Sequence, residues 1–374
     1  MTDKQTILVT GAAGYWGSRV AEKLIALGEY HVIGLDSRAP KKEIKGLDFI
    51  QADLRSPQMV DLLREEAVST LCHLTFVEGV RPNEADFDLN VLGAMKLLGA
   101  CAEAGVQKVV LKSSTAVYGA HPSNSAFLKE EQPLKGSLAY GYTRDMVEIE
   151  AFCNGFRRQV PELAQTILRF PSIVGPTAST PMTRFLQEPF TPILLGFDPM
   201  MQVIHEEDVL EALVYATVND QPGVYNIASE GVLPLSRLMR LAGKMGVPVF
   251  HLFLYWGSGV LGGAGAPVHR YLPIELDYLR YPWVGDLTRM REVLGFYPRY
   301  TAEEALREFA GKQRLRRYQP EARARAHDEE RLRDTIERRR RARLHQTGGP
   351  QEYGEQAGME YTGSTIQAEE DEDD

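Results

Sequence analysis

Cysteine is scarce in this sequence, and the residue patterns of metal sites are missing from it. The chain of 374 residues contains three cysteines, Cys72, Cys101 and Cys153, which lie far apart. An odd, scattered set excludes a disulfide framework and predicts a protein of a reducing compartment, the cytoplasm. The eight histidines are dispersed, with no Cys-x-x-Cys or His-Glu-x-x-His spacing. We therefore predict no metal centre.

The sequence also has little that would enter a membrane. The N-terminal sequence MTDKQTILVTG has neither the basic nor the apolar region of a signal peptide. Residues 247–268 carry no Asp, Glu, Lys or Arg over 22 positions, which is long enough for a membrane span. Their five glycines and two prolines argue against a regular helix. We expect a buried or site-covering segment; the alternatives are a surface that contacts a membrane or a partner and, less favoured, a true membrane span.

Charge is distributed unevenly along the chain. Residues 312–345 hold 13 Lys and Arg against six Asp and Glu, whereas residues 346–374 hold nine acids and no base. The first 311 residues keep a small excess of acids, which argues against specific nucleic-acid binding. We predict a charged, solvated helix over 311–345 and a disordered acidic tail over 346–374. Stretch 312–345 is a second candidate for weak contact with a membrane or an acidic partner.

Short apolar runs alternate with amphipathic stretches through the first 175 residues. This alternation predicts an α/β fold, a Rossmann-type doubly wound parallel sheet with helices on both faces. The predicted strands are Thr6–Thr10, His31–Leu35, Phe49–Gln51, Thr70–Leu74, Lys108–Leu111 and Gln165–Phe170. The predicted helices are Trp16–Ala26, Pro57–Glu66, Asp86–Ala104 and Tyr140–Arg157. We expect the NAD-binding domain over 1–175 and a smaller substrate-binding portion over 176–310.

A glycine-rich turn joins the first predicted strand to the first predicted helix. Gly11, Gly14 and Gly17 permit a tight turn and close approach of a pyrophosphate to the helix N-terminus. Asp36 ends the second strand, where a carboxylate would bind the ribose hydroxyls of the adenosine. It would repel a 2′-phosphate, so NAD is favoured over NADP. The basic residues between 38 and 42 weaken that preference because they could neutralise such a phosphate.

Asp53 and Leu54 follow the third predicted strand. An aspartate at this place would bind the adenine of the dinucleotide. An N-cap of the next helix is an almost equally good interpretation of Asp53. Both interpretations stay open on the sequence alone.

Further motifs follow one another along the chain, and their order is more specific for one protein family than any single motif. The set resembles the extended short-chain dehydrogenase/reductase family, in its NAD-dependent epimerase/dehydratase branch, which includes UDP-glucose 4-epimerases. The resemblance covers about residues 5–310. The motifs are the glycine turn, Asp36, Asp53-Leu54, Asn90-Val91-Leu92-Gly93, Ser113 to Gly119, Tyr140-Gly141-Tyr142-Thr143-Arg144, Ile167 to Phe170, Gly175-Pro176, Val203 to Val209 and Leu294 to Pro298.

The resemblance implies roles for individual residues. Ser114 would hydrogen-bond the reacting oxygen, and Tyr140 would be the catalytic acid/base. Arg144 stands where the family has a lysine that stabilises the tyrosine phenolate, and arginine keeps the charge with a different donor geometry. Tyr142, two residues further along a presumed helix, is expected to point elsewhere. The implied cofactor-binding residues are Gly11, Ala13, Gly14, Tyr15, Trp16, Gly17, Asp36, Asp53, Leu54, Leu74, Tyr140 and Arg144.

The substrate half departs from the nucleotide-sugar enzymes of the family. Ser172 replaces their usual Asn, and Met200-Met201-Gln202 stands where they often carry an Arg for the pyrophosphate. His205 is expected to be a packed structural histidine. The resemblance implies an NAD-dependent enzyme acting on a secondary alcohol, by default of a nucleotide sugar. A sterol- or polyketide-like alcohol and a non-catalytic NAD-binding regulatory module are the alternatives.

Relatives often dimerise through two long helices of each protomer. Five residues recur at helical spacing on the segment that would supply one of them, and they favour a homodimer. The alternative is that this stripe packs on the protein's own sheet. The stripe consists of Phe87, Val91, Met95, Leu98 and Cys101.

Overall fold

A parallel sheet of seven strands organises the first of two compact units, which are Met1–Arg314 and Leu315–Asp374. The computed structural model describes residues 4–188, 191–250, 273–318, 333 and 336. Only the beginning of the predicted charged helix, 311–318, and residues 333 and 336 are described, and all are helical. Most of that helix, the tail 346–374 and all but the first residues of segment 247–268 lie outside the described residues.

The elements alternate as the sequence predicts. Within the described ranges the strands are β1 (Thr6–Thr10), β2 (His31–Asp36), β3 (Asp48–Gln51), β4 (Val68–His73), β5 (Lys108–Ser114), β6 (Ala164–Phe170), β7 (Ser172–Val174), β8 (Thr191–Leu194), β9 (Met200–Met201), β10 (Val203–His205), β11 (Gly223–Asn226), β12 (Leu233–Pro234) and β13 (Gly246–Val249). The α-helices are α1 (Tyr15–Leu27), α2 (Met59–Glu65), α3 (Glu84–Phe87), α4 (Gly93–Ala104), α5 (Gly141–Gln159), α6 (Pro181–Gln187), α7 (Glu206–Val218), α8 (Leu235–Leu241) and α9 (Ala302–Tyr318). Shorter turns are the 3-10 helices Thr115–Tyr118 and Leu276–Leu279 and the π-helical turns Asp88–Leu92 and Met290–Leu294.

The main sheet has the strand order β11-β6-β5-β4-β1-β2-β3, and every pairing in it is parallel. All five residues of β1 are buried because helices cover both faces of the sheet. One face packs on α1 and α7, and the other packs on α2, α4 and α5. The predicted Rossmann-type doubly wound fold is confirmed.

The edge strand β11 comes from beyond residue 175, the predicted end of the nucleotide-binding domain. It pairs with β6, and α7 before it packs on the sheet. The chain therefore leaves the sheet after β6 and returns to it. The domain boundaries stay a prediction.

A separate apolar cluster forms the core of the smaller part of this unit. It joins the 3-10 turn Thr115–Tyr118, which follows β5, to α6, α8, α9 and the turn Leu276–Leu279. Its largest buried side chains include Tyr118, Phe185 and Phe309. This cluster lies beyond the carboxyl end of β5, so a cleft can form between it and the sheet.

The helix between residues 84 and 104 contains a π-helical turn at Asp88–Leu92, which the sequence analysis does not predict. Asn90 in this turn holds the loop after β4. Its Oδ1 accepts a hydrogen bond from the Val77 amide at 2.8 Å, and its Nδ2 donates to the Val77 carbonyl at 3.0 Å. Nδ2 also lies 2.9 Å from Oδ2 of Asp145 on α5. The extra residue of the π turn thus aims a buried amide at the loop.

The predicted dimer stripe packs inside the chain. Val91, Leu98 and Cys101 belong to one of the two clusters that cover the sheet, and Phe87 and Met95 pack against it. The homodimer stays a prediction, but this stripe favours the alternative of packing on the protein's own sheet. The three cysteines are buried and free. Within the described ranges, none of the helices has the length and apolarity needed to cross a membrane.

A buried ion pair connects β6 to α5. Nε of Arg169 lies 3.0 Å from both carboxylate oxygens of Glu150, and both side chains are about 2% exposed. Nη1 of Arg169 donates to the Tyr118 hydroxyl at 2.7 Å, and that hydroxyl donates to Asn226 at 2.7 Å. Burial raises the pKa of Tyr118 to about 12, so it stays a donor at neutral pH.

Arg169→Met should lower the free energy of unfolding by about 3–5 kcal/mol, because it leaves the Glu150 carboxylate buried without its cation. Denaturant titration measures this loss. Arg237→Met is the control, since Arg237 pairs with Glu303 on the surface, and it should cost about 1 kcal/mol or less. Equal losses in the two variants would contradict the importance of the buried pair.

Candidate cofactor and substrate site

The glycine turn after β1 is built from close backbone contacts. Gly11 has a φ of 71°, and a Cβ there would lie 2.9 Å from the Leu74 carbonyl oxygen. A Cβ on Gly17 would lie 2.2 Å from the Gly11 carbonyl oxygen. Gly14 is the N-cap of α1 and provides no side-chain hydrogen bond, so the first amides of α1 face the turn uncapped. Such a helix N-terminus suits the pyrophosphate of a dinucleotide.

Asp36 stands at the carboxyl end of β2, beside this turn. Its side chain is buried, with Oδ2 accepting a hydrogen bond from the Ala13 amide at 3.2 Å. Oδ1 accepts one from the Arg38 amide at 3.0 Å, and the largely exposed Arg38 side chain lies 3.9 Å away. The carboxylate is therefore fixed next to the glycine turn. These residues fit the diphosphate and ribose diol of NAD.

Asp53 makes local contacts. Its Oδ1 accepts hydrogen bonds from the amide and Nε of Arg55, both at 2.9 Å, and Arg55 lowers the pKa of this carboxyl. The next helix begins at Met59 with Gln58 as its N-cap, so the N-cap interpretation of Asp53 is wrong. Leu54 is buried, and a Cβ on Gly93 would lie 2.6 Å from its Cδ1. Adenine binding by Asp53 and Leu54 stays a prediction.

The remaining predicted cofactor residues surround the turn. The Tyr15 hydroxyl lies 2.7 Å from that of Thr177 and donates to Glu206 at 3.0 Å. Burial raises the pKa of Tyr15 to about 12. The Trp16 ring meets the Tyr15 ring edge to face at 4.9 Å. Leu74 follows β4 directly, and its amide donates to Thr10 Oγ1 at 3.1 Å.

A cleft with about 770 Å³ of space, part of it open to solvent, lies at the carboxyl edge of the main sheet, as the glycine turn does. Ser114, the last residue of β5, lines it, and Ser114 Oγ accepts a hydrogen bond from the Ala116 amide at 3.1 Å. Tyr140 and Tyr142 line it from the start of α5, and Glu78 lines it from the loop after β4. The structure therefore brings the predicted Ser114 and Tyr140 together in one cleft.

The expectation that Tyr142 points elsewhere is wrong. It assumed that Tyr140 lies inside a helix, but Tyr140 is the extended N-cap of α5, with φ −104° and ψ 124°. The Tyr142 side chain makes a hydrogen-bonding contact with Ser114, and its ring meets Phe76 edge to face at 5.6 Å. Burial and the nearby Glu78 carboxylate raise the pKa of Tyr142.

Arg144 is engaged away from the cleft. Its guanidinium bonds Oδ1 of the buried Asp145 through Nε at 2.8 Å and Nη2 at 2.7 Å. Nη2 also donates to the Asn83 carbonyl at 3.2 Å, and the guanidinium stacks over the Phe87 ring at 4.7 Å. Arg144 is not among the described residues that line the cleft. Its catalytic and cofactor-binding roles stay predictions that these contacts do not support.

Besides Glu78, three further acidic or basic side chains that line the cleft were not predicted from the sequence. Lys112 lies on β5, two residues before Ser114, and Arg184 lies on α6. Glu275 also lines the cleft, and burial raises the pKa of its carboxyl to about 7. Side chains two residues apart on a strand lie on the same face, so Lys112 could have been predicted from its distance to Ser114. No local sequence pattern marks Arg184 or Glu275.

The departures from the nucleotide-sugar pattern take different places in the structure. Ser172 lines the cleft. Gln202 is buried and exchanges two hydrogen bonds with the Gly285 backbone, at 3.2 and 3.0 Å, so it is structural. His205 is buried, accepts a hydrogen bond from the Glu207 amide at 3.2 Å and stacks on Tyr300, as expected for a structural histidine. Among the residues that the structure describes, no group of three or more His, Cys, Asp or Glu is placed to hold a metal ion.

The parallel sheet, the glycine turn with Asp36 and the adjoining cleft define a dinucleotide-binding protein of the α/β class. The model of the NAD-dependent epimerase/dehydratase family matches residues 7–228, more than half of the chain. The chain belongs to this family, whose cofactor is NAD.

Several known proteins are similar to this chain over most of its length. An uncharacterised protein of Mycobacterium tuberculosis is 33% identical over 320 residues, covering 82% of this chain and 83% of that protein. UDP-glucose 4-epimerase 1 of Oryza sativa subsp. japonica is 30% identical over 284 residues, covering 69% and 78%. Among solved structures, MoeE5 with UDP-glucuronic acid and NAD has 25% identity and a TM-score of 0.62, covering 83% and 99%. UDP-glucose 4-epimerase of Thermotoga maritima, at 22% identity, shares the fold with a TM-score of 0.63 and the same coverage.

Asp36→Ala should weaken NAD binding by about 1–3 kcal/mol, the cost of losing hydrogen bonds to a charged group. It should also narrow the preference for NAD over NADP, because the repulsion of a 2′-phosphate is lost. Fluorescence titration with both dinucleotides measures the two effects, with Asp61→Ala on the exposed face of α2 as the control. Unchanged NAD affinity in Asp36→Ala would remove this residue from the cofactor site.

Proposed function

We propose that this protein is an NAD-dependent oxidoreductase of the epimerase/dehydratase type that oxidises a secondary alcohol, transiently or net. One observation carries the proposal. Ser114, Tyr140 and Tyr142 line a single cleft at the sheet edge that also holds the glycine turn and Asp36. A hydroxyl-bearing substrate in this cleft would therefore lie next to the end of the dinucleotide site.

Different residues of this chain have different roles in the proposed reaction. The glycine turn and the α1 N-terminus would hold the diphosphate, and Asp36 would hold the adenosine ribose. The chemistry that bound NAD would supply here is acceptance of a hydride from the substrate carbon. Ser114 holds the reacting oxygen, and Tyr140 takes the hydroxyl proton as base. Because tyrosine ordinarily has a pKa near 10, a positive charge in the cleft must favour its phenolate.

A nucleotide sugar is the substrate that we favour. Arg184 offers the cleft a cation for a diphosphate, which offsets the absence of an arginine at Met200–Gln202. The similarity to UDP-glucose 4-epimerase 1 and to MoeE5 supports this class. Several apolar side chains also line the cleft, and they support a less polar, sterol- or polyketide-like alcohol as the alternative. They include Val80, Pro171, Ile173, Pro181, Met182, Ile274 and Trp283.

A non-catalytic NAD-binding regulatory module is the second candidate function. The contacts of Arg144 with Asp145 and Phe87 favour it, because the residue at the family's lysine position does not reach the cleft. Such a module would exchange dinucleotide without turning over an alcohol.

A substrate screen followed at the nicotinamide absorbance separates these functions. The panel contains UDP-glucose and UDP-galactose, with sterol- and polyketide-like alcohols as the second class. Formation of NADH, or interconversion of the two sugar nucleotides, supports the enzyme. Measurable NAD binding with no turnover on the whole panel would favour the module.

Tyr140→Phe should reduce turnover by about 100-fold or more, because it removes the atom that carries the proton. NAD affinity should stay within a few fold. Tyr142→Phe is the matched variant and should cost less, since it removes a partner of Ser114 rather than the base. Steady-state rates and NAD titrations of both variants provide the test. Full activity in Tyr140→Phe with loss in Tyr142→Phe would transfer the acid/base role to Tyr142.

A further inference from the structure

The proposed chemistry needs a positive charge beside its hydroxyl groups, and Arg144 is poorly placed to provide it. Two of its nitrogens bond the nearly inaccessible Asp145 carboxylate, and its face covers Phe87. Turning the guanidinium toward the cleft would leave that carboxylate buried without its cation. Such a loss is costly in a protein interior.

Lys112 brings another cation to the cleft. It precedes Ser114 by two residues on β5, so both side chains leave the same face of the sheet. Both line the cleft with Tyr140 and Tyr142. Lys112 Nζ lies 5.5 Å from the centroid of the Trp16 ring, in the first turn of α1. The ammonium therefore lies near the first turn of α1, on a residue that lines the cleft.

The surroundings of Lys112 leave its positive charge available to a ligand in the cleft. Glu78 lines the same cleft and interacts electrostatically with both Lys112 and Tyr142. Its carboxylate opposes a phenolate at Tyr142, and a nearby ammonium compensates for this effect. No hydrogen bond joins the Lys112 ammonium to another residue in the part of the chain that the structure describes. Its three N–H donors are available to a ligand.

We infer that Lys112, rather than Arg144, is the cation that binds the dinucleotide in this cleft and positions the Ser114 and tyrosine hydroxyls. The inference rests on the proposed function and names a residue for one of its requirements. Relatives carry this positive charge on a lysine one helical turn after the catalytic tyrosine. In this chain the charge comes from Lys112, on β5. Arg144 then has a structural role in holding α5 against the helix that contains Phe87.

Four variants test the inference through NAD binding, followed by tryptophan fluorescence, and through thermal melting. Lys112→Met should weaken NAD binding about 10-fold or more, the effect of losing a hydrogen bond to a charged group. Lys112→Arg should restore affinity to within a few fold, because it returns the charge. Arg144→Met should lower the melting temperature while NAD affinity stays within a few fold. Lys45→Met, an exposed lysine outside the cleft, is the matched control and should change neither quantity.

Trace acetylation followed by peptide mass spectrometry adds a readout that is independent of turnover. Lys112 lines the cleft, so bound NAD should slow the labelling of its amine, whereas labelling of the exposed Lys45 should not change with NAD. Strong loss of NAD binding in Arg144→Met with none in Lys112→Met, or labelling of Lys112 that NAD does not reduce, would overturn the inference. If the unchanged protein does not bind NAD, the proposed function fails and the role of Lys112 fails with it. If it binds NAD as tightly after Lys112→Met, only the role of Lys112 fails.

Discussion

The close approach of the Gly17 backbone to the Gly11 carbonyl is the constraint on which the site depends. A Cβ at Gly17 would lie 2.2 Å from that oxygen, so the short turn between β1 and α1 can form only with glycine there. This contact aims the uncapped amides of α1 at the carboxyl edge of the sheet. Because β1 lies between β2 and β4, Asp36 and Leu74 end beside the same turn. The proposed cofactor site is thus a consequence of strand order and one backbone contact.

The proposed catalytic residues are positioned by the same carboxyl edge of the main sheet. β5 pairs with β4, so Lys112 and Ser114 reach the cleft next to the glycine turn. The loop after β4 carries Glu78 and is held by Asn90 through the π turn of the long helix. The charges in the cleft are therefore fixed by elements of the sheet and by buried hydrogen bonds. Arg144 takes part in this scaffold through Asp145, which also contacts Asn90.

Local pattern predicted the sheet well because buried parallel strands and short α/β connections leave strong signals. β1 has the predicted bounds, and Gly11 and Asp36 lie as expected at strand ends. The orientation of Tyr142 was predicted wrongly because helical periodicity was applied across an extended N-cap residue. Contacts between distant segments had no local signal. The approach of Arg184 to the cleft and the buried pair of Arg169 with Glu150 both depend on tertiary packing.

We place the positive charge of the proposed reacting centre on β5, at Lys112. A crystal structure of the complex with NAD measures this most directly, through the distances from Lys112 and Arg144 to the bound dinucleotide. We predict Lys112 Nζ within hydrogen-bonding distance of the dinucleotide, about 3 Å, with Arg144 still paired to Asp145. A complex in which Arg144 has left Asp145 to contact the dinucleotide, while Lys112 makes no contact with it, would contradict the account.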